Sequence, residues 1–366
     1  MFMGPVGPST RVGLALSSLI TKPNLKELEL PDLVVTSAVV VSSFASARQL
    51  QKLTLSSGLY PKPITGGGAE VPRAASSDRL SHLAGTPDGM KSILAAAFVF
   101  RALTTLTTRD AGGDHTFTWS FARTFFDLVG NGCPVLKNLD LGGFVTEGAA
   151  DQRAYFVLAP LRACTRMRRF SFLGMAYHGP VPVPQDFNPT DSDWRSLISE
   201  WPDLQHISYT FSGGYELVEY DPSLEPKPRA TINTLMEFSR NCRQLVVVIV
   251  SLNVTSRDTD AALLGDILPF GSPMKFINFL GGSIEDDAVE GLAIMLLRLT
   301  RDDVDFHQGT RRNLDILEDD GFDMSSERNW LAAKKLIDFT RRARPLGPPP
   351  TSSGSEEVYK FLMGTY

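Results

Sequence analysis

The sequence predicts an α/β solenoid, with a parallel sheet on its concave side and helices on its convex side. Three observations carry that prediction. A short phrase, Leu-x-x-Leu-x-Leu or a conservative variant, recurs along the 366 residues. Its starts fall at residues 25, 50, 103, 136, 167, 204, 245 and 274. The segments between phrases carry helical periodicity, each long enough for one helix on the return path. One such unit cannot bury its own apolar edge, so the strands have to stack on their neighbours in a single sheet.

Taken in order, the strand phrases are Leu25-Lys-Glu-Leu28-Glu-Leu30, Leu50-Gln-Lys-Leu53-Thr-Leu55, Leu103-Thr-Thr-Leu106-Thr-Thr108 and Leu136-Lys-Asn-Leu139-Asp-Leu141. Met167-Arg-Arg-Phe170-Ser-Phe172, Leu204-Gln-His-Ile207-Ser-Tyr209, Leu245-Val-Val-Val248-Ile-Val250 and Met274-Lys-Phe-Ile277-Asn-Phe279 follow. The interval between the second and third is double length, and holds either an insertion or a degraded repeat. Helices are expected over 36–47, 90–102, 117–129, 151–164, 191–201, 231–242, 259–268 and 286–299, with Asp or Thr as N-caps, for instance Asp258. Residues 56–90 are rich in Gly, Pro and Ser and read as a flexible surface insertion. Excursions over 174–189 and 211–229 carry further prolines, the latter with Tyr215 and Tyr220.

The strand phrases have recurrent lead-ins: Asn131-Gly-Cys133-Pro134-x-Leu136, Asn241-Cys242-Arg-Gln-Leu245 and Cys164-Thr-Arg-Met167. Phrase and lead-in together resemble the leucine-rich-repeat family. The subtype is the long, helix-bearing one found behind the F-box of ubiquitin-ligase receptors and common in fungal F-box-like proteins. The resemblance covers residues 12 to 310 and implies a horseshoe solenoid that binds a protein client. The chain departs from the family in its irregular intervals and in lacking the Asn or Cys that usually closes the strand turn. No F-box is visible; Leu30-Pro31-Asp32 ends the first phrase instead of opening one. The expected organisation is an N-terminal flank over 1–22, short enough to suggest truncation, and a solenoid over 23–310. A capping helical region over 311–345 and a flexible tail over 346–366 complete it.

Composition narrows the function. Hydrophobic residues make up 43% and charged residues 21%, which fits a globular chain. A formal charge of −5 gives no electrostatic reason to expect nucleic acid or an anionic membrane as partner. No apolar run approaches the length of about 20 residues that a spanning helix needs, and the N-terminus lacks the basic and apolar regions of a signal peptide. Three cysteines, Cys133, Cys164 and Cys242, cannot form a closed disulfide set. A cytoplasmic or nuclear protein is the expectation.

Chemistry is sparse. His82, His115, His178, His206 and His307 show no zinc-binding spacing. Gly66-Gly67-Gly68 lacks the Lys-Ser/Thr of a phosphate loop. Acidic pairs such as Asp286-Asp287, Asp302-Asp303 and Asp319-Asp320 are sequence neighbours whose side chains diverge. Arg162, Arg166, Arg168 and Arg169 cluster around one repeat but read as a solvated face. Nothing assembles nucleophile, base and orienter, so no catalytic residue, metal or cofactor is expected.

Strand alternation assigns the first, fourth and sixth places of each phrase to the core, and the third and fifth to the concave surface. That surface reads as rungs: Glu27/Glu29, Lys52/Thr54, Thr105/Thr107, Asn138/Asp140, Arg169/Ser171, His206/Ser208, Val247/Ile249 and Phe276/Asn278. The late rungs turn apolar, and exposed apolar patches mark contacts. The expected protein-binding site is therefore Arg169, His206, Val247, Ile249 and Phe276. Alternatively, the 211–229 excursion or the tail folds over these strands. The function expected is a non-catalytic interaction solenoid resembling the substrate-recognition part of an F-box ligase subunit, with a ligase adaptor as partner only if an F-box lies upstream. A free-standing scaffold is the alternative.

Overall fold

The computed structural model describes residues 18–19, 22, 24–31, 49–56, 78–96, 99–108, 116–147, 157–177, 188–214, 228–280, 282–309 and 325–343. Its strands are β1 (Glu27–Pro31), β2 (Lys52–Ser56), β3 (His82–Gly85), β4 (Thr105–Thr108), β5 (Thr116–Thr118), β6 (Asn138–Glu147) and β7 (Arg169–Tyr177). They continue as β8 (His206–Gly214), β9 (Val247–Val250), β10 (Asn253–Val254), β11 (Phe276–Leu280), β12 (Ser283–Ile284) and β13 (Asp305–Gly309). The helices are α1 (Pro87–Ala96), α2 (Trp119–Gly132), α3 (Asp191–Ile198), α4 (Ile232–Asn241), α5 (Ser256–Leu263), α6 (Val289–Leu299) and α7 (Ser325–Ala343).

Ten strands form one all-parallel path, β1-β2-β3-β4-β6-β7-β8-β9-β11-β13, with β5 paired to β6 beside it. The strands of that path follow one another in chain order, as a solenoid requires, with β10 and β12 paired apart from it, and all eight phrases read from the sequence are strands of the path. The fold is thus a leucine-rich-repeat solenoid. Successive helices pack on one another in chain order on one face of the sheet. Strands stand about 4.8 Å apart and packed helices about 8–10 Å apart, so the stack bends with the sheet on its inner side.

The turn before each strand is equally regular. The N–H of Leu136 donates to Cys133 O, that of Met167 to Cys164 O, that of Leu204 to Trp201 O and that of Leu245 to Cys242 O, all at 3.1 Å. One carbonyl then binds two amides of the next repeat. Lys137 O accepts from Arg168 and Arg169, Arg168 O from Gln205 and His206, Gln205 O from Val246 and Val247, and Val246 O from Lys275 and Phe276, at 2.7–3.1 Å. The turn side chain also reaches back: Cys164 Sγ contacts Cys133 O, Cys242 Sγ contacts Trp201 O, and Trp201 Nε1 donates to Leu161 O.

The core follows the phrase. Leu53, Leu106, Leu139, Phe170, Ile207, Val248 and Ile277 at the fourth place are fully buried. Thr108 replaces an aliphatic residue at a sixth place, and its hydroxyl donates to Gly142 O at 2.8 Å. Among the described rungs Thr54 alone is buried.

Several expectations need correction. The insertion does not extend over 80–90: Leu80 and Leu83 are core residues around β3, and α1 begins at Pro87. The sixth place of that repeat is Gly85, because a Cβ there would stand 2.6 Å from Leu55 Cβ. The described part of the expected helix over 151–164 closes in a 3-10 turn, Ala159–Ala163, where Pro160 has no N–H to donate. Gly130 of α2 lies against that turn, and a Cβ on it would fall 2.2 Å from Pro160 O. Asp258 is not an N-cap. Thr255 caps α5, accepting from the Asp258 N–H while its hydroxyl donates to the Asp258 carboxylate. A further strand, β13, follows the last phrase; its anchor Val304 stands one place nearer the strand than the usual leucine, and Phe306 is its buried fourth-place residue. The expected helix over 36–47, Tyr215, Tyr220 and the tail lie outside the described residues.

Helix α7 packs on α6 and along β12 and β13. Trp330 is buried edge-on against Phe279 and Phe306. Arg341 donates to Val304 O at 2.9 Å and Arg301 O at 2.8 Å, and its guanidinium lies over the Phe306 ring.

Two predictions follow from this core. Leu139→Ala should cost about 2–5 kcal/mol in urea melts and the half-buried Asp140→Ala less than about 1, whereas equal losses would overturn the assigned phase. Burial pushes the Cys164 and Cys242 thiols from their ordinary 9.0 up to about 12, and raises Cys133, where the neighbouring Cys164 adds to the effect. The unfolded chain therefore releases these protons first, and stability falls as pH rises between about 9 and 12. Melts from pH 7 to 10.5 should show a shallower alkaline loss for Cys164→Ala than for the parent, and native thiols should resist alkylation until the chain is unfolded.

Candidate functional site

The register of the parallel ladder converts the rungs into two continuous rows on the face away from the helices. The first row runs Asn138, Arg169, His206, Val247, Phe276 and Asp305, each the Cα partner of the next. The second runs Asp140, Ser171, Ser208, Ile249, Asn278 and His307. The five residues expected to form the site thus occupy adjacent strands, β7, β8, β9 and β11. Four of them, Arg169, His206, Val247 and Phe276, stand consecutively in one row. Arg169 is exposed, while His206, Val247, Ile249 and Phe276 are half-buried.

Backbone pairing, not side-chain preference, places them. The shared carbonyls of Lys137, Arg168, Gln205 and Val246 hold the third-place residues in line at the spacing of the strands. With the fourth-place residues sealed in the core, strand alternation leaves the third and fifth no direction but outward.

The electrostatics are graded along the rows. His206 has a lowered pKa: desolvation is the largest cause, the Arg169 guanidinium adds to it, and the Asp140 carboxylate opposes it. It is neutral at pH 7 beside a cation. At the far end His307 stacks on Phe276, with ring centroids 5.0 Å apart and planes at 28°, and its Nε2 lies 2.9 Å from Asp305 Oδ2. That hydrogen bond holds the Asp305 carboxyl below its usual range. The surface is therefore an apolar centre, Val247, Ile249 and Phe276, bounded by Arg169 and His206 on one side and Asp305 and His307 on the other.

The last rung was invisible in the sequence phrase because β13 lacks the first-place aliphatic residue. His307, met only as a scattered histidine, becomes part of the surface by its register with Asn278. The other arginines of the basic cluster do not join it. Arg162 pairs with Glu200 at 3.1 Å, while Arg166 and Arg168 are exposed outside the two rows. Among the described residues, no group of three or more His, Cys, Asp or Glu side chains is placed to hold a metal ion. No described helix is long and apolar enough to cross a membrane.

No protein-family model matches the chain, and no curated protein matches it. Solved structures do, among them the crystal structure of an internalin from Listeria monocytogenes, 9% identical over 83% of this chain and 96% of that chain, with a TM-score of 0.34. The assignment of the fold rests instead on the register and burial phase of this chain's own strands.

The geometry makes a titration testable. By NMR, His206 should titrate below the ordinary 6.5, Arg169→Ala should move it upward, and Asp140→Asn should move it further down. Since the folded value lies below the unfolded one, the unfolded chain takes up the proton first as pH falls. His206 therefore subtracts stability below about pH 6.5 and nothing above about pH 8.

Proposed function

We propose that this chain is a non-catalytic protein-interaction solenoid, binding its client on the sheet face at Arg169, His206, Val247, Ile249 and Phe276. One observation carries the reading: a half-buried apolar centre with an aromatic anchor, set between polar side chains on a rigid ladder. Binding energy concentrates where such anchors are desolvated inside a polar margin. The stacked His307 ring fixes Phe276, which lowers the side-chain entropy lost on contact.

A finer form of the proposal makes the chain the client-recognition part of an F-box ubiquitin ligase, its adaptor contact supplied by a segment upstream of residue 1. What supports it is the likeness of the strand phrase and lead-in. A free-standing scaffold in the cytoplasm or nucleus explains the same surface. Three buried, unbridged thiols suit the reducing setting of either form.

Affinity capture from the native cell separates the two forms, because a ligase receptor would bring adaptor and cullin subunits with it and a scaffold would not. With a captured client in hand, Phe276→Ala should weaken affinity by about 2 kcal/mol, with folding checked by circular dichroism, while Glu27→Ala leaves it unchanged. Equal affinities for the two variants would sink the site assignment.

A further inference from the structure

We propose that the client segment taken by this face is acidic as well as apolar: paired carboxylates engage Lys137, Arg168 and Arg169 at the edge of the sheet, and large apolar side chains about three to four residues away cover Val247, Ile249 and Phe276. The inference rests on the proposed function for the apolar half of the contact and adds the basic half.

Register brings the three cations together. The N–H groups of Arg168 and Arg169 both donate to Lys137 O, at 2.7 and 2.9 Å. Lys137 and Arg168 thus hold the second places of neighbouring repeats, and Arg169 follows as the first-row residue of β7. Arg168 and Arg169 are exposed and Lys137 is half-buried. Two cations at equivalent places elsewhere are neutralised. Lys275, at the second place of the β11 repeat, pairs with Asp303 at 2.6 Å, and Lys52, at the third place of the β2 repeat, pairs with Glu27 at 3.3 Å. Lys137, Arg168 and Arg169 make no ion pair among the described residues. Asp203, in the turn before β8, takes the place that Arg166 has in the turn before β7 and offsets that fourth charge. Asp140, in the second row of β6, is left facing three cations. Like charges at strand spacing repel one another, so a carboxylate-bearing partner relieves them even though the chain as a whole carries −5.

The surroundings of the cations select the anion. The backbone amides of Lys137, Asn138, Arg168, Arg169, Gln205 and His206 all donate to carbonyls of the preceding repeat, so none is free to converge on a phosphate. Separate carboxylates, each met by one long side chain, suit cations spread over two strands. From Arg169 the first row passes to His206, neutral at pH 7, and then to Val247 and Phe276. These lie two and three strands from Arg169, about 10 and 14 Å, which an extended segment crossing the strands covers in about three and four residues. A nucleic acid would carry a phosphate at every step onto the apolar rungs, whereas a peptide changes from acidic to apolar within that span.

The test pans a phage library of random dodecapeptides against the full-length chain and against its charge-reversed variant Lys137→Glu, Arg168→Glu, Arg169→Glu. The parent should select two Asp or Glu residues about three to five positions from an aromatic or large aliphatic residue. The variant should select Lys or Arg in the acidic places and keep the apolar ones, an exchange that a folding defect cannot produce. For a selected peptide made synthetically, Arg168→Ala and Arg169→Ala should each weaken binding by about 1.5- to 5-fold, as for exposed ion pairs, and the loss should shrink as salt rises from about 0.05 to about 0.5 M. No selection, no acidic enrichment, or acidic enrichment that survives the charge reversal overturns the inference. So does binding tightened about tenfold or more by a phosphoserine in place of the acidic pair, or competition by oligothymidylate at equal affinity. If the selected peptides lack acidic residues but lose binding with Phe276→Ala, the inference fails and the proposed function stands. If acidic peptides respond to the charge reversal and ignore Phe276→Ala, the basic contact stands and the proposed apolar site fails.

Discussion

One backbone interaction governs this molecule: from Lys26 to Val246, the carbonyl at the second place of a repeat's strand phrase accepts two amides from the following repeat. Lys26 O takes the N–H groups of Gln51 and Lys52, Gln51 O those of Ser81 and His82, and Ser81 O those of Thr104 and Thr105. The pattern continues to Val246 O. A slip of one residue would turn every fourth-place leucine outward, so the ladder and the buried leucine column enforce each other. The ladder is indifferent to the identity of the third and fifth side chains. Those places are free to carry function.

The same logic explains how the solenoid tolerates irregular repeats. Helix length, a 3-10 turn around Pro160 and intervals of different size all vary on the outer layer, where neighbouring elements need only present an apolar stripe. Where two outer elements come close, side-chain size is adjusted locally, as at Gly130 against Pro160 and Gly291 against the Thr259 side chain. Polar clips add specificity: Asp191 of α3 accepts from the Thr231 N–H and hydroxyl and from the Thr234 hydroxyl, capping the start of α4. Glu237, nearly buried in α4, is met by Arg195 from α3 and by Arg240. At the far end of the described residues, α7 packs Trp330 and Arg341 against the repeat of β13, with Arg341 holding the Arg301 and Val304 carbonyls.

On the sheet face, chemistry changes gradually from acidic and hydroxylated rungs at the start to apolar ones near the end. The change matters because residues scattered in sequence become neighbours at strand spacing, and a histidine between Arg169 and an apolar rung is desolvated into its neutral form. A binding surface of this kind needs no pocket and no catalytic geometry.

The sequence by itself determined the parallel solenoid, the phase of eight strands and the outward places from Glu27 to Asn278, because a leucine column repeats in one dimension and strand alternation is strictly twofold. It missed β3, whose sixth place is Gly85 beside a Gly-, Pro- and Ser-rich stretch, and β13, whose anchor Val304 is displaced by one residue. Both are strands because the preceding strand supplies their partners, a contact that no local pattern records. The five site residues were legible as rungs. Their company was not: the Phe276–His307 stack, the Asp305–His307 hydrogen bond and the balance of Arg169 against Asp140 at His206 depend on which strand lies beside which, and only the tertiary register decides that.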